Sequence, residues 1–356
     1  MSENRDASQA NPADAARCTF PLAVAVAVRR LGLARARERI GFTRLEGGVS
    51  SDVWRVDLPG GPVCAKRALA KLRVAADWRA PVSRGENEFR FLVAARNIIP
   101  AATPVALGRA QGVILMQFFP PERHPVWKDL LRQGRVEDAT ARAVAGVLAQ
   151  LHAQSSRDPS LAGAFRDRDI FHATRIEPYF EYTARARPEH AAEIRRLARR
   201  TEQIERTLVH GDVSPKNILV GPDGPVLLDA ECAIYGDPAF DLAFCVTHLL
   251  LKCVALPFLA ERLSRCVDAF VNEYERGVSW EPASDLDARA ADLVPVLLLA
   301  RVDGKSPVEY LDREQRAVVR RAATGLLLHP ARGLARLGEA WRAATFAPGA
   351  ERSASC

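Results

Sequence analysis

The chain lacks the cysteine and apolar patterns typical of secreted, zinc-binding or membrane proteins. Its seven cysteines include no Cys-x-x-Cys pair and no His/Cys cluster of zinc spacing, which favours reduced thiols. The apolar stretch from Phe20 to Val28 is nine residues long, whereas a membrane helix needs ~20. Residues 1–16 lack the basic region of a signal peptide. We therefore expect a cytoplasmic protein without a membrane partner.

The sequence also lacks the features of a nucleic-acid-binding module. Its net charge of +7 comes from arginines spread over several segments, such as Arg195-Arg196 and Arg320-Arg321. Nucleic-acid binding requires basic residues gathered on one face, usually with aromatic residues or a known module. We expect solvated helix faces here and no nucleic-acid partner.

Residues 209–243 place acidic and amide side chains on short loops that follow apolar strands. Asp212 follows Leu208-Val209, Asn217 comes five residues later, and Asp229 follows Val226-Leu227-Leu228. In kinases, a loop aspartate accepts the proton of the acceptor hydroxyl, and an asparagine and a second aspartate hold Mg²⁺. A single His-x-Asp is weak, but the joint spacing predicts phosphoryl transfer.

Two substitutions in this region identify a family resemblance. Gly211 stands where protein kinases have the arginine of His-Arg-Asp, and Asp229-Ala230-Glu231 replaces Asp-Phe-Gly. The pattern resembles the aminoglycoside phosphotransferase and choline kinase superfamily of small-molecule kinases. The resemblance implies an α+β, two-lobed, protein-kinase-like fold with a small β-rich N-lobe and a large, mainly helical C-lobe. It also implies ATP and Mg²⁺ as cofactors and a small-molecule acceptor that is phosphorylated on a hydroxyl.

The resemblance assigns roles to individual residues of the C-lobe. Asp212 is the expected catalytic base, and Asn217 and Asp229 are the expected metal ligands. Glu231 either adds a ligand or lies behind those ligands. The resemblance implies that Asp241 braces the backbone of the catalytic loop, although a helix N-cap explains this aspartate equally well.

The N-lobe offers residues for the nucleotide. Gly47, Gly48 and Ser50 lie at a hairpin tip where backbone N–H groups can approach phosphate, although such a tip is also a generic turn. Lys66 follows small apolar residues in the next strand, where the family has its phosphate-binding lysine. It is therefore favoured over Lys71, which lies beyond the strand.

A carboxylate from the first helix of the N-lobe normally holds that lysine. We expect Glu88 to do so, with Glu86 as the alternative; either is also a plausible solvated acid in a first helical turn. After the next strand, Gln117 and Phe119 precede a double proline. This arrangement predicts a hinge between the lobes, whose backbone groups contact the edge of the adenine ring of ATP.

Local features resemble methylthioribose kinase and suggest a sugar-like acceptor. They are the Asp-x-Glu of Asp229 and Glu231, the spacing of Trp78, Arg84 and Glu88, and His124-Pro-Val-Trp127 after the hinge. Trp127 and Arg301 are candidate substrate contacts. The segment that contains Arg301 equally fits a helix end followed by a surface loop.

Two further residues have alternative interpretations. His152 ends an amphipathic helix and is predicted to pack or cap rather than to catalyse. Lys216 is a candidate contact for the γ-phosphate, since Ser214 occupies the position of the protein-kinase lysine.

The predicted domains are a disordered tail at 1–17, an N-lobe at 18–119, a C-lobe at 120–340 and a flexible tail at 341–356. One rival function is a catalytically silent, kinase-fold module that only binds nucleotide. A protein kinase is excluded because Asp237-Pro238 comes only eight residues after Asp229, which leaves no room for an activation segment. No obligate protein partner is evident.

Overall fold

The computed structural model describes residues 12–45 and 48–346, and for residues 12–19 only the backbone. These residues form two compact units. The smaller unit contains the described residues up to Leu69 together with Val105–Phe118. The larger unit contains Ala70–Pro104 and the described residues from Phe119 onward.

The smaller unit is one helix and an antiparallel sheet with the strand order β1-β2-β3-β5-β4. Strand β3 is central, so its backbone groups pair with β2 on one side and β5 on the other. The elements are α1 (Pro12–Arg30), β1 (Gly41–Arg44), β2 (Ser51–Leu58), β3 (Gly61–Ala68), β4 (Ala106–Ala110) and β5 (Val113–Gln117).

Helix α1 packs its apolar side chains into the core of this sheet. Phe20, Val24 and Val28 are buried together with Val56 of β2 and Leu115 of β5. Helix α1 begins at Pro12, within the tail predicted at 1–17, and continues into this buried stretch. Residues 1–11 lie outside the described part.

The larger unit is mainly helical and carries two short β-ribbons. Between α6 and α7 the chain forms a π-helix, His172–Glu181. The strands are β6 (Thr207–Val209), β7 (Ile218–Gly221), β8 (Gly224–Leu227) and β9 (Ile234–Gly236). The helices are α2 (Arg84–Ile98), α3 (Trp127–Arg132), α4 (Asp138–Ser155), α5 (Pro159–Ala164), α6 (Arg168–Phe171), α7 (Tyr182–Ala186), α8 (Ala191–Gln203), α9 (Ala239–Ala255), α10 (Ala260–Gly277), α11 (Ala283–Asp303), α12 (Arg313–Leu328) and α13 (Leu334–Phe346).

Helix α9 is the centre of this unit. Its residues from Ala239 to Val254 are buried on every side, as expected for a mainly apolar helix at the centre of a core. Helices α10 and α11 pack against it, and α4 packs against α10. The predicted α+β arrangement, with a small β-rich part and a large helical part, is thus confirmed.

The chain remains helical beyond the predicted start of the C-terminal tail at residue 341. Helix α13 runs to Phe346, and Trp341 is fully buried in the main core. Burial of that indole supports the last helical turns, so the prediction of a flexible segment is wrong for residues 341–346. Residues 347–356 lie outside the described part.

Within the described residues, no single helix is both long and apolar enough to cross a membrane, although the bent pair Ala239–Ala255 and Pro257–Gly277 passes that test of length and composition.

The five cysteines whose side chains are described are free thiols. Four of them are buried in the larger unit, whereas Cys64 is half-buried in β3. Burial raises the pKa of Cys232 and of Cys253 to about 12. These two thiols are therefore protonated at neutral pH.

Candidate active site

The loop after β6 and the following β-ribbon bring the predicted acidic and amide residues together. Asn217 ends a 3₁₀ turn, Pro215–Asn217, and its side-chain Nδ2 donates to the backbone oxygen of Asp212 at 3.1 Å. The backbone oxygen of Asn217 accepts from the N–H of Leu228 at 2.8 Å, one residue before Asp229. The β7–β8 pairing therefore places the predicted metal ligands beside the loop that carries Asp212.

Gly211 has a conformation that explains why this loop position is glycine. Its φ is +80°, and a Cβ built on it would lie 2.8 Å from the backbone oxygen of Cys232. Any side chain here would meet both a left-handed backbone and a fixed carbonyl. The same glycine distinguishes the sequence from the His-Arg-Asp of protein kinases.

Asp241 braces this loop through its backbone. The buried carboxylate accepts from the N–H of His210 at 2.7 Å and from the N–H of Gly211 at 2.8 Å. Asp241 is the third residue of α9, and Pro238 is the residue that precedes the helix. The bracing role is thus confirmed, and the alternative reading as an N-cap is wrong.

His152 supports Asp241 from behind. Its Nε2 lies 3.3 Å from Oδ2 of Asp241, and its Nδ1 lies 2.7 Å from the hydroxyl of Tyr274. Burial raises the pKa of Tyr274 well above its ordinary value, so its hydroxyl keeps its proton and can donate to Nδ1. The chain of contacts from Tyr274 through His152 to Asp241 holds the loop, and the predicted packing role of His152 is confirmed.

The carboxylate of Asp212 is buried and contacts two cations at the same oxygen. Oδ2 lies 3.1 Å from Nη2 of Arg175 and 3.2 Å from Nζ of Lys216. Burial lowers the pKa of Lys216, but the carboxylates of Asp212 and Asp229 raise it more, so Lys216 stays charged. The structure therefore brings the predicted base and the candidate phosphate contact into one cluster.

Arg175 is a residue that sequence reasoning missed. It lies in the π-helix, and it donates to the backbone oxygens of Gly211 and Thr174. Its guanidinium carbon lies 5.5 Å from the ring centroids of Tyr179 and of Phe244. A π-helix departs from the 3.6-residue period on which sequence reading depends, so no local signal pointed to this arginine.

Glu88, Asp229 and Glu231 form a cluster of carboxylates. One oxygen from each lies within 4.8 Å of the others. Asp229 has φ +67°, a left-handed conformation that aspartate tolerates better than most residues. Three carboxylates this close repel one another unless a cation lies near, and oxygen donors are those that Mg²⁺ prefers. The residues present thus fit a divalent metal.

Arg84 and Asn87 of α2 hold Glu231 in place. The Nε of Arg84 donates to Oε2 of Glu231 at 3.1 Å, and the side chain of Asn87 donates to the backbone oxygen of Glu231 at 3.3 Å. Trp78, the first member of the Trp78, Arg84, Glu88 spacing, donates to the backbone oxygen of Ala173 at 3.0 Å. The spacing noted in the sequence therefore gathers side chains around the carboxylate cluster and the π-helix.

The predicted nucleotide residues occupy distinct positions in the smaller unit. Lys66 is buried in β3, opposite Val53 and Ile114. Gly48 admits no Cβ, because one would overlap the backbone oxygen of Ser51. The backbone oxygen of Ser50 accepts from Leu69 at 2.9 Å.

Gly47, the other glycine of the predicted phosphate loop, lies outside the described residues.

Lys71 and Glu86, the alternatives to Lys66 and Glu88, form ion pairs at the surface. Lys71 pairs with Asp77 at 2.9 Å, and Glu86 pairs with Arg90 at 3.0 Å on an exposed face of α2. Lys66 and Glu88 are thus buried, whereas Lys71 and Glu86 are not.

Gln117 and Phe119 flank the point where the chain leaves the smaller unit. Gln117 is exposed at the end of β5, its N–H donates to the backbone oxygen of Val105, and its Oε1 accepts from the N–H of Val105. Phe119 belongs to the larger unit, where its ring lies 4.9 Å from the ring of His124.

The two candidate substrate contacts differ in burial. Trp127 is 1% exposed and packs in the main core, so its burial favours a packing role over contact with an acceptor. Arg301 is half-buried at the end of α11 and donates to the hydroxyl of Tyr179 at 3.4 Å. Tyr179 also contacts Arg175, which reaches Asp212.

Solved structures of known proteins share this fold. The chain resembles the solved structure of amicoumacin kinase hAmiN in complex with AMP-PNP, Ca²⁺ and Ami, with a TM-score of 0.55 and 12% identity over 87% of this chain and 94% of that one. It also resembles an ethanolamine kinase of Plasmodium vivax, with a TM-score of 0.51 and 12% identity over 82% of this chain and 84% of that one. At this identity the likenesses show the fold. A search of curated protein sequences returned no match.

A match to a family model identifies the family of this chain. The model described as the phosphotransferase enzyme family matches residues 41–286, which include all five strands of the sheet, the loop that carries Asp212 and the carboxylate cluster. The narrower likeness to methylthioribose kinase is not shown by these comparisons and stays a prediction. The match over residues 41–286 shows that this chain belongs to the phosphotransferase enzyme family.

Proposed function

We propose that this protein transfers the γ-phosphoryl group of ATP to a hydroxyl of a small molecule. The observation that carries the proposal is the position of Asp212. Its carboxylate lies in a loop whose backbone is held by Asp241, and that loop is bonded through Asn217 to the strand end that bears Asp229. A fixed base beside a buried carboxylate cluster supports phosphoryl transfer, in which positioning and electrostatics supply most of the catalysis.

In the proposed reaction the acceptor oxygen bonds to the γ-phosphorus, and the bond between that phosphorus and the bridging oxygen of ADP breaks. The acceptor proton passes to Asp212, which accepts it as a general base. Asp212 in turn orients the hydroxyl, because its own loop is held at His210, Gly211 and Asn217.

The two cationic side chains that contact Asp212 differ in how tightly they are held. Arg175 is buried and held by three groups, so it stays in place. The side chain of Lys216 is 48% exposed and can leave the carboxylate for the transferred phosphoryl group. Lys66 of the smaller unit is the proposed contact of the α- and β-phosphates.

Asn217, Asp229 and Glu231 would hold Mg²⁺ through oxygen, with Arg84 balancing part of the charge on Glu231. The metal would neutralise phosphate charge and align the phosphoryl group. Glu88 is buried in the same cluster and would stabilise this arrangement.

The experiment is an ADP-release assay of the purified chain with Asp212→Asn as the test variant. The substitution keeps the shape of the side chain but removes its basicity, so we expect kcat to fall by ~10² or more and AMP-PNP affinity to change only a few-fold. Asp223→Asn, on the exposed β7–β8 turn, is the matched control. Near-normal turnover by a folded Asp212→Asn variant would remove Asp212 from the role of base. The acceptor panel for this assay includes methylthioribose, other pentoses, aminoglycosides, choline, ethanolamine and homoserine.

A further inference from the structure

One edge of the Arg301 guanidinium lacks a hydrogen-bond partner among the described residues. Its Nη1 donates to the backbone oxygen of Ser306 and to the hydroxyl of Tyr179. Its Nε is buried and has no hydrogen-bond partner among the described residues. The Nε side of a guanidinium is one of the two edges that bind a carboxylate or phosphate bidentately. Arg301 is therefore anchored on one side and unsatisfied on the other.

A second cation without a carboxylate partner lies nearby in the larger unit. Lys252 is 3% exposed, and its ammonium lies 3.3 Å from the centroid of the Tyr310 ring. It forms no salt bridge within the ranges 12–45 and 48–346. Burial, followed by the charges of Lys128 and Arg132, lowers the pKa of Lys252 to about 8. A buried ammonium in such surroundings is costly unless an anion approaches it.

The hydroxyl of Tyr310 adds an unsatisfied polar group. It is buried, and the described residues provide no hydrogen-bond partner for it. Arg301 is close enough to act electrostatically on this hydroxyl. The segment that follows α11 turns back on itself, since the N–H of Val308 donates to the backbone oxygen of Arg301 at 2.9 Å. Its polar groups thus face the same region of the unit as Lys252.

The pKa of His248 is lowered by burial and by several nearby cations. This buried histidine lies on α9, one turn before Lys252. Burial lowers its pKa well below the ordinary value, and Arg301, Lys216, Lys252 and Arg175 lower it further. Four cations therefore lie close enough to His248 to act on it electrostatically.

These cations extend to the catalytic loop. Arg301 lies 5.9 Å from the centroid of the Tyr179 ring, and Arg175 lies 5.5 Å from the same centroid. Arg175 in turn contacts Asp212 at 3.1 Å. One aromatic ring therefore separates the Arg301 guanidinium from the arginine that touches the proposed base, a span that a small metabolite can bridge.

We infer that the acceptor carries an anionic group, a carboxylate or a phosphate, which binds to Arg301, Lys252 and the hydroxyl of Tyr310 while its reactive hydroxyl lies at Asp212. This inference rests on the proposed function and narrows its substrate class. A polycationic acceptor such as an aminoglycoside would be repelled by these charges. A neutral sugar would leave both cations unpaired.

The test measures binding of paired probes after the nucleotide site has been filled with AMP-PNP and Mg²⁺. Filling that site prevents an anionic probe from occupying the phosphate contacts of the nucleotide. Ribose 5-phosphate is compared with ribose, and glycerate with glycerol, by isothermal titration calorimetry. We expect the charged member of at least one pair to bind at least tenfold more tightly than its neutral partner, and kanamycin not to bind. The pair that shows the difference distinguishes a phosphate from a carboxylate.

The variants locate the binding to this cluster. Arg301→Gln and Lys252→Met are each expected to weaken the preferred anionic probe at least tenfold and to leave AMP-PNP affinity unchanged. The controls are Arg265→Gln and Lys71→Met, which remove exposed cations that pair with Glu261 and Asp77. Tyr310→Phe removes a single oxygen and carries the test if either charge variant fails to fold.

Each outcome decides the inference. Equal binding of charged and neutral probes, binding of kanamycin, lack of binding by all anionic probes, or full affinity in the folded variants would overturn it. Failure of the proposed function has a different signature, namely no AMP-PNP binding or no acceptor-dependent ADP release. The anionic probes can then still be titrated without nucleotide, and loss of their binding in Arg301→Gln would support the site on its own.

Discussion

Asp229 combines a charge and a backbone conformation that few other residues can provide. Its φ of +67° means that alanine would add backbone strain to the loss of the carboxylate. Asn tolerates this conformation, so Asp229→Asn isolates the effect of the charge. We expect the Mg²⁺ concentration required for AMP-PNP binding to rise by ~10-fold or more, since even partners of metal ligands contribute 10–100-fold.

The measurement for Asp229→Asn is the AMP-PNP affinity at a series of Mg²⁺ concentrations. Asp223→Asn serves again as the control, because Asp223 is an exposed aspartate six residues earlier. An unchanged Mg²⁺ dependence in a folded Asp229→Asn protein would argue against a metal at the carboxylate cluster.

The residues that could be predicted from sequence are those whose neighbours in space are also neighbours in the chain. Asp212, Asn217 and Asp229 lie within eighteen residues, and a β-hairpin of fixed spacing joins them. Two residues that support the same loop are distant in sequence: Arg175 lies 36 residues before Gly211, and Tyr274 lies 63 residues after it. Their roles depend on how helices pack, which no local spacing encodes.

At the scale of elements, the start of α9 is joined by hydrogen bonds to the loop that carries Asp212. Asp241→Asn would leave one oxygen for two backbone N–H groups and turn an amide N–H toward one of them. An unsatisfied buried donor costs about 1–3 kcal/mol. We therefore expect a lower melting temperature and a fall in kcat of at least tenfold, with nucleotide affinity changed little.

Steady-state kinetics and thermal unfolding of Asp241→Asn test this expectation. Asp285→Asn is the matched control, since Asp285 is also in the first turn of a helix but is exposed. A loss of stability with unchanged kcat would show that Asp241 supports the fold without positioning the loop.

The longer helices were predictable and the π-helix was not. The apolar periodicity predicts helices at 139–152, 242–254, 258–276 and 286–302, and the structure has Asp138–Ser155, Ala239–Ala255, Ala260–Gly277 and Ala283–Asp303. The differences lie at the ends, where capping rather than periodicity decides. At His172–Glu181 the hydrogen-bond pattern changes within a continuous helical path, so the hydrophobic pattern gives no warning.

At the scale of the larger unit, Asp303 joins three segments by ion pairs. It ends α11 and accepts from Arg187, which follows α7, and from Arg320 of α12. Burial alone would raise the pKa of Asp303, but hydrogen bonds from Arg320 and Arg187 lower it below the ordinary value. The carboxylate therefore contributes stability above its unfolded pKa of 3.8, and that contribution is lost as the pH falls through the lower folded value.

We expect the melting temperature of the larger unit to fall as the pH drops below about 4, and Asp303→Asn to show a smaller fall from a lower starting value. At pH 7 the variant should melt about 2–4 °C lower, the shift that 1 kcal/mol produces in a unit of this size. Calorimetry at several pH values measures this. Asp57→Asn, an exposed pair with Arg55, is the control. Parallel pH curves for the wild type and Asp303→Asn would contradict the assignment.

One sequence motif was enough to predict the two-part fold, but not which residues belong to each part. The catalytic-loop pattern implied a small sheet-rich part and a large helical part, and the structure has both. Residues 70–104, which the sequence prediction assigned to the N-lobe, cluster with the larger unit. Helix α2 explains this, because its buried side chains Arg84 and Asn87 bond to Glu231 and Ala233.

The alkylation rates of the buried thiols can report how often different parts of this protein open. Burial raises the pKa of Cys232 to about 12, so its side chain is almost entirely the thiol at pH 8, and burial excludes reagents as well. An alkylating reagent can therefore modify Cys232 only during moments when the chain around Gly211 opens, whereas Cys253 reports on opening near the end of α9. Comparing the two rates by mass spectrometry would show whether the catalytic loop opens alone or only when the helical core unfolds.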